Sequence, residues 1–135
     1  MGVALTCNVL ELHRAVWAPS RLTLDAYERL RAAPGFLPDL DLVLVSPEET
    51  FASYCICWFD APSRSGVFEP VGTHPDFQGR GLGRYVMREG LRRLQARGAT
   101  TATVSTAAFN RRAIGLYEAV DFHEVNREQR YGKAL

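Results

Sequence analysis

Residues 71–84 decide the fold of this chain, and they read Val71-Gly72-Thr73-His74-Pro75-Asp76-Phe77-Gln78-Gly79-Arg80-Gly81-Leu82-Gly83-Arg84. The stretch leaves an apolar segment, passes through a turn and enters a helix. The glycines at positions 79, 81 and 83 leave backbone N–H groups uncovered where the helix begins. Since the first turn of a helix has unpaired N–H donors and the positive end of the helix dipole, the stretch predicts a loop that binds phosphate or pyrophosphate.

Two common phosphate loops do not fit this stretch. A Walker loop requires Gly-Lys followed by Ser or Thr, and the stretch contains no lysine. A dinucleotide-binding fingerprint requires a third glycine three positions after the second, and counted from Gly81 that position is Arg84. A nucleotide-binding module therefore stays only as a minor alternative.

A second motif follows about 30 residues later and reads Asn110-Arg111-Arg112-Ala113-Ile114-Gly115-Leu116-Tyr117-Glu118-Ala119-Val120-Asp121-Phe122. The two stretches resemble the signatures of the GNAT acetyltransferase superfamily, Gln/Arg-x-x-Gly-x-Gly/Ala and Asn-x-x-Ala-x-x-Leu-Tyr-x-x-x-Gly-Phe. Their separation suits a helix, a strand and a second helix. One departure is Asp121, which replaces a glycine where the helix should end in a left-handed conformation that Asp tolerates less well. The resemblance covers residues 67–122 well and the first half only loosely.

The resemblance implies an α/β fold, the GNAT acyl-CoA N-acyltransferase fold. Its sheet is mixed and mostly antiparallel, with about six or seven strands flanked by about four helices. A length of 135 residues suits a single domain over residues 1–135. Only residues 2–7 are available for the strand that normally opens such a domain. This strand is therefore short or absent, or the chain resembles the second half of a tandem acetyltransferase.

Local patterns place the elements along the chain. Helices are predicted at about 8–17, from Thr23 to about 33, at 81–98 and after Asn110. Strands are predicted at 40–45 and 51–59, which form a hairpin, and at 66–74, 100–106, 122–126 and 129–134. Pro70 and Gly72 are poor residues for the interior of a sheet and predict a break in the strand at 66–74. The resemblance implies a bulge there that splays this strand from the next one; an edge strand is the alternative.

Composition excludes several classes of partner. Hydrophobic residues are 47% and charged residues 23%, as in an ordinary globular protein, and the net charge of +1 predicts neither a nucleic acid nor a membrane partner. The first residues do not read as a signal peptide. The odd count of three cysteines favours reduced thiols in a cytoplasmic protein, and no Cys or His spacing predicts a metal site. A homodimer is compatible with the sequence.

Positive charge is concentrated on the glycine loop and the helix that follows it. The arginines are Arg80, Arg84, Arg88, Arg92, Arg93 and Arg97. They could attract a polyanionic cofactor, although a solvated arginine face explains the four beyond Arg84 equally well.

The resemblance implies acetyl-CoA as cosubstrate and no metal. It places the pyrophosphate on loop residues Gln78, Gly79, Arg80, Gly81, Leu82, Gly83 and Arg84. It places the pantetheine arm against the splayed strand at Val71, Gly72 and Thr73 and beside Asn110, which also reads as a helix cap. The donor for the oxyanion is expected to be a backbone N–H in residues 71–73.

Acetyl transfer to an amine requires a neutral nucleophile, a stabilised oxyanion and a proton for the thiolate. The resemblance places the Tyr117 phenol beside the sulfur as general acid; the alternative is a half-buried packing aromatic. Glu69 is the candidate base, with a surface salt bridge as the alternative. Some family members carry a basic glutamate where this chain has Ser105. His74 reads as a turn residue.

These observations predict an N-acetyltransferase that moves acetyl from acetyl-CoA to a primary amine by direct attack, without a covalent enzyme intermediate. The acceptor would be a small molecule or a peptide, and the residues that select it lie in the variable first half. The alternative is a non-catalytic acyl-CoA-binding regulatory domain, or the inactive half of a tandem acetyltransferase. A nucleotide-binding module would instead bind ATP more tightly than coenzyme A.

Overall fold

The computed structural model describes residues 3–135, with side chains from Val9 onward. Four helices and four strands follow each other in the order α1 (Val3–Val16), α2 (Leu24–Arg31), β1 (Asp41–Val45), β2 (Phe51–Asp60), β3 (Ser65–Thr73), α3 (Leu82–Ala96), β4 (Thr101–Val104) and α4 (Arg111–Glu118). Thr23 caps α2 by accepting a hydrogen bond from the Ala26 N–H at 3.2 Å, as predicted. The α/β class and the four helices are confirmed.

The strands form one sheet in the order β1-β2-β3-β4. β1 and β3 both run antiparallel to β2, whereas β4 runs parallel to β3. The predicted hairpin and the mixed, mostly antiparallel character of the sheet are therefore confirmed. The predicted number of six or seven strands is wrong for the part of the chain described, which contains four.

The missing strands lie at both ends. Residues 3–7 belong to α1, while residues 1–2 are outside the description. Residues 122–126 and 129–134 have no regular structure, because a strand needs a neighbour and these residues find none. Val125 and Tyr131 are 74% and 88% exposed. The two strands predicted at 122–126 and 129–134 are therefore wrong.

The core lies on both faces of β2, because successive side chains of a strand point to opposite faces. Cys55 and Cys57 are buried free thiols on the face that α3 covers, and Tyr54 and Ile56 are buried on the face that α1 and α2 cover. Cys7 is among the residues whose side chains are not described. The face of α3 that packs on the sheet consists of its buried residues, Val86, Met87, Gly90 and Leu94.

Helix α1 rests directly on β3 at Gly72. A Cβ atom at this position would lie 2.5 Å from the Val16 Cγ1, so no side chain fits between helix and strand. The contact places the last turn of α1 over the second half of β3. Within residues 3–135, no helix is both long and apolar enough to cross a lipid bilayer.

Candidate active site

Strand β3 is interrupted by a bulge. Cys57 pairs with Phe68 and Cys55 pairs with Val71, so Glu69 and Pro70 together face one residue of β2. The Trp58 Nε1 donates a hydrogen bond to the Glu69 carbonyl at 2.9 Å, which holds the bulge in place. The predicted interruption at Pro70 is therefore confirmed.

Beyond the bulge, β3 loses its neighbour on one side. β4 pairs with β3 only over residues 65–68. The His74 N–H donates to the Ala52 carbonyl at 2.8 Å, and backbone directions alternate along an antiparallel pair. The N–H groups of Val71 and Thr73 therefore point away from β2, toward the side that β4 leaves open. They are available to an amide-bearing ligand or to an oxyanion.

A cleft of about 520 Å³ opens where the two strands diverge. It is lined by His13, Trp17, Val67, Phe68, Glu69, Pro70, Val71, Val104, Ser105 and Tyr117. The structure thus brings the two predicted catalytic residues, Glu69 and Tyr117, into one cleft. Ser105, at the end of β4, also reaches it.

Tyr117 is carried by the last turn of α4. Its ring is half-buried, with its centroid 6.4 Å from that of Phe122, and burial raises the pKa of the phenol. The phenol therefore keeps its proton at neutral pH and can donate it. The Asn110 Oδ1 caps α4 by accepting a hydrogen bond from the Ala113 N–H at 3.1 Å, so the predicted cap is confirmed.

The start of α3 is open. Gly81 precedes the helix with a φ of +79°, in the left-handed region, and contributes no side-chain cap. The backbone N–H groups of residues 79–84 have no hydrogen-bond acceptor within the described part of the chain. A Cβ at Gly79 would meet nothing within 4 Å. An open row of donors at a helix start can bind a phosphate or pyrophosphate group.

The arginines divide into two groups. Arg92 and Arg93 form ion pairs with Glu89, and Arg97 forms one with Asp39. These three arginines are therefore engaged in ion pairs within the protein. By contrast, Arg84 and Arg88 form no hydrogen bond or ion pair with described residues, while Arg80 donates to the Asp76 carbonyl at 3.2 Å and stacks on Phe77.

Gln78 ties the loop to its neighbours. Its Nε2 donates to the Thr73 carbonyl at 3.3 Å, and its Oε1 accepts a hydrogen bond from the Arg112 guanidinium. Nearby, a Cβ at Gly83 would lie 3.0 Å from the Leu116 Cδ2, so α3 and α4 approach closely at this point. The end of β3, the loop and α4 consequently form one connected unit.

Two lining residues, His13 and Trp17, lie on the face of the helix predicted at about 8–17. The resemblance implies that the first two helices form one wall of the acceptor site, but the sequence favoured packing for their residues and assigned none of them a role. The Trp17 Nε1 donates to the Tyr54 hydroxyl at 2.9 Å, and the His13 Nδ1 lies 3.3 Å from the Ser20 Oγ. The available signal was a histidine and a tryptophan four positions apart on an otherwise aliphatic helix face. Helical spacing identified this face but not the cleft in front of it.

The remaining candidates have other roles. The His74 Nδ1 accepts a hydrogen bond from the Asp76 N–H at 3.1 Å within the turn, as expected for a turn residue. Among the described residues, no group of three or more His, Cys, Asp and Glu side chains could hold a metal ion.

The model of the acetyltransferase (GNAT) family matches residues 8–122. The chain belongs to the GNAT acetyltransferase family. The expected family is therefore confirmed, and the expected enzyme class, acetyl-CoA-dependent N-acetyltransferase, is that of the family.

Two curated GNAT relatives show how far the similarity extends. Mycothiol acetyltransferase of Saccharopolyspora erythraea is 30% identical over 125 residues, which are 90% of this chain and 41% of that protein. The [ribosomal protein bS18]-alanine N-acetyltransferase of Salmonella typhimurium is 38% identical over 61 residues, 45% of this chain and 41% of that protein. The matched region is thus well under half of either relative.

Solved structures of GNAT proteins share the fold. AAC(6')-Iy in complex with the bisubstrate analogue CoA-S-monomethyl-acetylneamine superimposes with a TM-score of 0.80 at 16% identity, covering 100% of this chain and 95% of that one. The ribosomal-protein-S18-alanine N-acetyltransferase from Escherichia coli gives 0.76 at 20% identity, covering 93% and 76%. At these identities the likeness establishes the fold alone.

Proposed function

We propose that this GNAT protein transfers the acetyl group of acetyl-CoA to a primary amine by direct attack. The observation that carries the proposal is the single cleft that joins the open edge of β3 with Glu69 and Tyr117. The same strand continues through a short turn into the uncapped start of α3. When bound, acetyl-CoA supplies the acetyl thioester, and the chain supplies binding, orientation and proton transfer.

The coenzyme would be held at three places. The free N–H groups of residues 79–84 would bind the pyrophosphate, with added positive charge from Arg80 and Arg84. The outward N–H groups of Val71 and Thr73 would bind the pantetheine arm and the oxyanion. The third place is Asn110, which would donate a hydrogen bond from its side-chain Nδ2 to the pantetheine arm. This Nδ2 is free among the described residues, because only the Oδ1 is used in the cap.

Proton transfer would be divided between two residues. Tyr117 would donate a proton to the departing thiolate, for which its raised pKa keeps it protonated. Glu69 would accept a proton from the amine, directly or through water. The exposed position of Glu69 at the bulge leaves its carboxylate accessible to an acceptor entering the cleft.

An α-amine is the acceptor class that fits best. Presenting an α-amine in its neutral form at pH 7 costs about 1 kcal/mol, whereas a lysine amine costs about 4.6 kcal/mol. Among the described lining residues, Glu69 is the one carboxylate, which suits an acceptor with a single positive charge better than a polycation. The name of the Salmonella relative, an alanine N-acetyltransferase, points to the same class.

The alternative is a non-catalytic acyl-CoA-binding domain or the inactive half of a tandem acetyltransferase. One observation favours it, namely that the mycothiol acetyltransferase relative is more than twice as long as the region that this chain matches. Such a domain would keep the anion loop and would need neither Glu69 nor Tyr117.

These functions can be separated by measuring the release of free thiol from acetyl-CoA. The acceptors are glycinamide, peptides with an N-terminal alanine, a lysine derivative and an aminoglycoside. Turnover with the first two acceptors supports the proposal. Binding of coenzyme A by calorimetry without thiol release from any amine would favour the non-catalytic domain. Tighter binding of ATP than of coenzyme A would instead indicate a nucleotide-binding module.

A further inference from the structure

The imidazole of His13 is held in a defined orientation at the wall of the cleft. Its ring centroid lies 6.4 Å from that of Trp17 and 6.1 Å from that of Tyr54. These two neighbours are themselves joined by the hydrogen bond from the Trp17 Nε1 to the Tyr54 hydroxyl. On its own edge, the His13 Nδ1 meets the Ser20 Oγ at 3.3 Å. A side chain fixed in this way is suited to chemistry that requires a set geometry.

Ser20 is placed to fix the tautomer of this imidazole, because its Oγ lies within hydrogen-bond distance of the His13 Nδ1. The Ser20 Oγ already accepts a hydrogen bond from the Leu22 N–H at 3.2 Å, and a hydroxyl oxygen has a second lone pair for the His13 Nδ1–H. In the tautomer that donates from Nδ1 to this lone pair, which the role inferred below requires, Nε2 carries a free lone pair. This Nε2 has no hydrogen-bond partner among the described residues.

We propose that His13 is a catalytic residue that takes a proton from the acceptor amine on Nε2, with Ser20 as the positioning residue that fixes its tautomer. The inference rests on the proposed acetyl transfer. It adds a base from α1 to the carboxylate of Glu69, which lies on β3 in the same cleft.

The protons balance as follows. An ammonium must lose one proton before it can attack, and His13 takes this proton and releases it to solvent. The new N–C bond forms and the C–S bond breaks. The second amine proton goes to Glu69, and Tyr117 donates a proton to the thiolate. Glu69 then loses its proton to solvent and Tyr117 regains one from solvent, so that both groups return to their starting states. No oxidant or reductant is required.

The charges around His13 are compatible with this role. Burial lowers the pKa of His13, so the ring is neutral at pH 7. The titratable groups that face it are Glu69 from β3, Tyr117 from α4 and Tyr54 from β2. Burial raises the pKa of both tyrosines, which therefore stay uncharged. Glu69 can stabilise the imidazolium that forms when the amine proton arrives.

The ¹⁵N shifts of the His13 ring in the full chain test the tautomer directly, with the resonances assigned by the loss of signal in His13→Gln. We expect a protonated Nδ1 and an unprotonated Nε2 at pH 7, and a pKa below the ordinary 6.5. A protonated Nε2 as the major form would overturn the proposal. This measurement needs no acceptor and no turnover.

Thiol release at pH 7 tests the function of His13. His13→Gln should lower kcat/KM with glycinamide by about 10- to 100-fold and remove the limb along which the rate falls as pH drops through the His13 pKa. Trifluoroethylamine, which is mostly neutral at this pH, should lose much less. Equal losses with both amines would indicate a structural role and overturn the proposal.

His123→Gln is the matched control, because His123 lies in the exposed tail away from the cleft, and it should behave as the wild type. Ser20→Ala should shift the acid limb with a smaller loss of rate. If the wild type turns over and His13→Gln keeps both its rate and its pH profile, this inference fails while the proposed function stands. If the wild type releases no thiol with any amine, the proposed function fails, and this inference fails with it.

Discussion

Helices α3 and α4 approach each other where Gly83, in the first turn of α3, meets Leu116, in the last turn of α4, and their own first turns are completed in different ways. α4 begins with Asn110, whose side chain accepts a hydrogen bond from the Ala113 N–H. α3 begins with Gly81, which has no side chain to offer. One helix start is therefore satisfied from within the chain, and the other leaves its donors for a group from outside. The start of α4 is thus stabilised by the chain itself, whereas the start of α3 is where we propose that the coenzyme binds.

At their C-terminal ends the two helices differ in the opposite sense, because α3 has the more favourable residue there and α4 the less favourable one. Beyond α3, the chain turns through Gly98 at a φ of +100°, which glycine adopts freely, whereas beyond α4 it turns through Asp121 at +68°. The departure noted in the sequence at Asp121 thus coincides with a left-handed residue, as predicted. α4 has the better start and the less favourable end.

The largest effect is expected from a substitution at the open start of α3. Gly81→Glu should weaken coenzyme A binding by at least about 100-fold, because its carboxylate would repel the pyrophosphate from the N–H groups. Titration calorimetry measures the loss. Gly81→Gln is the matched control, since it introduces the same backbone strain and nearly the same bulk without the charge. Equal affinities in the two variants would show that the loop does not hold the phosphates.

The next effect concerns the side chain that α4 delivers to the cleft. Tyr117→Phe should lower kcat by about 100-fold with little change in the Kd of coenzyme A, because only the proton donor is lost. Steady-state thiol release measures kcat, and Tyr131→Phe in the exposed tail is the control. Because burial raises the pKa of Tyr117, the wild-type rate should not fall between neutral pH and about pH 10 through this group. An unchanged kcat in Tyr117→Phe would remove the residue from the mechanism.

A smaller effect tests the closed start of α4. Asn110→Ala should lower the free energy of unfolding by about 1 kcal/mol, because the Ala113 N–H loses its acceptor. Urea denaturation measures this change. Asn110→Asp keeps an acceptor oxygen and should recover most of the stability. If the alanine variant were as stable as the wild type, the Asn110 cap would contribute nothing to the free energy of unfolding.

The smallest effect concerns the end of α4. Asp121→Gly should raise the free energy of unfolding by about 0.5–1 kcal/mol, because glycine adopts a positive φ without strain. Thermal or urea denaturation is sufficient to detect it. Asp121→Ala lacks this conformational freedom and should not stabilise the chain. A gain in the alanine variant would place the cause elsewhere.

The sequence predicted best where one residue decides the local structure. Thr23 and Asn110 cap helices through their own side chains, and Pro70 marks the bulge because it cannot join a ladder. Prediction from the sequence failed where the local structure depends on a neighbouring strand. The tail around Val125 and Tyr131 has a strand-like pattern, but no neighbouring strand receives it.

The site was predicted in part for the same reason. Motif residues place Glu69 and Tyr117 on known elements, and the structure brings them to one cleft, while their catalytic roles stay predictions. His13 was missed, because helical spacing shows which residues share a face and not what that face meets. That information lies in the contact of Val16 with Gly72, far apart in sequence.

The absence of a side chain at Gly72 has a consequence for how this protein can change. α1 touches the sheet there without an intervening side chain, so a single added methyl group would lift the helix and carry Trp17 and its neighbours with it. The phosphate loop is anchored separately, through Gln78. For the proposed acetyl transfer, mutations under α1 should therefore change which amines are accepted and leave coenzyme binding at the loop intact.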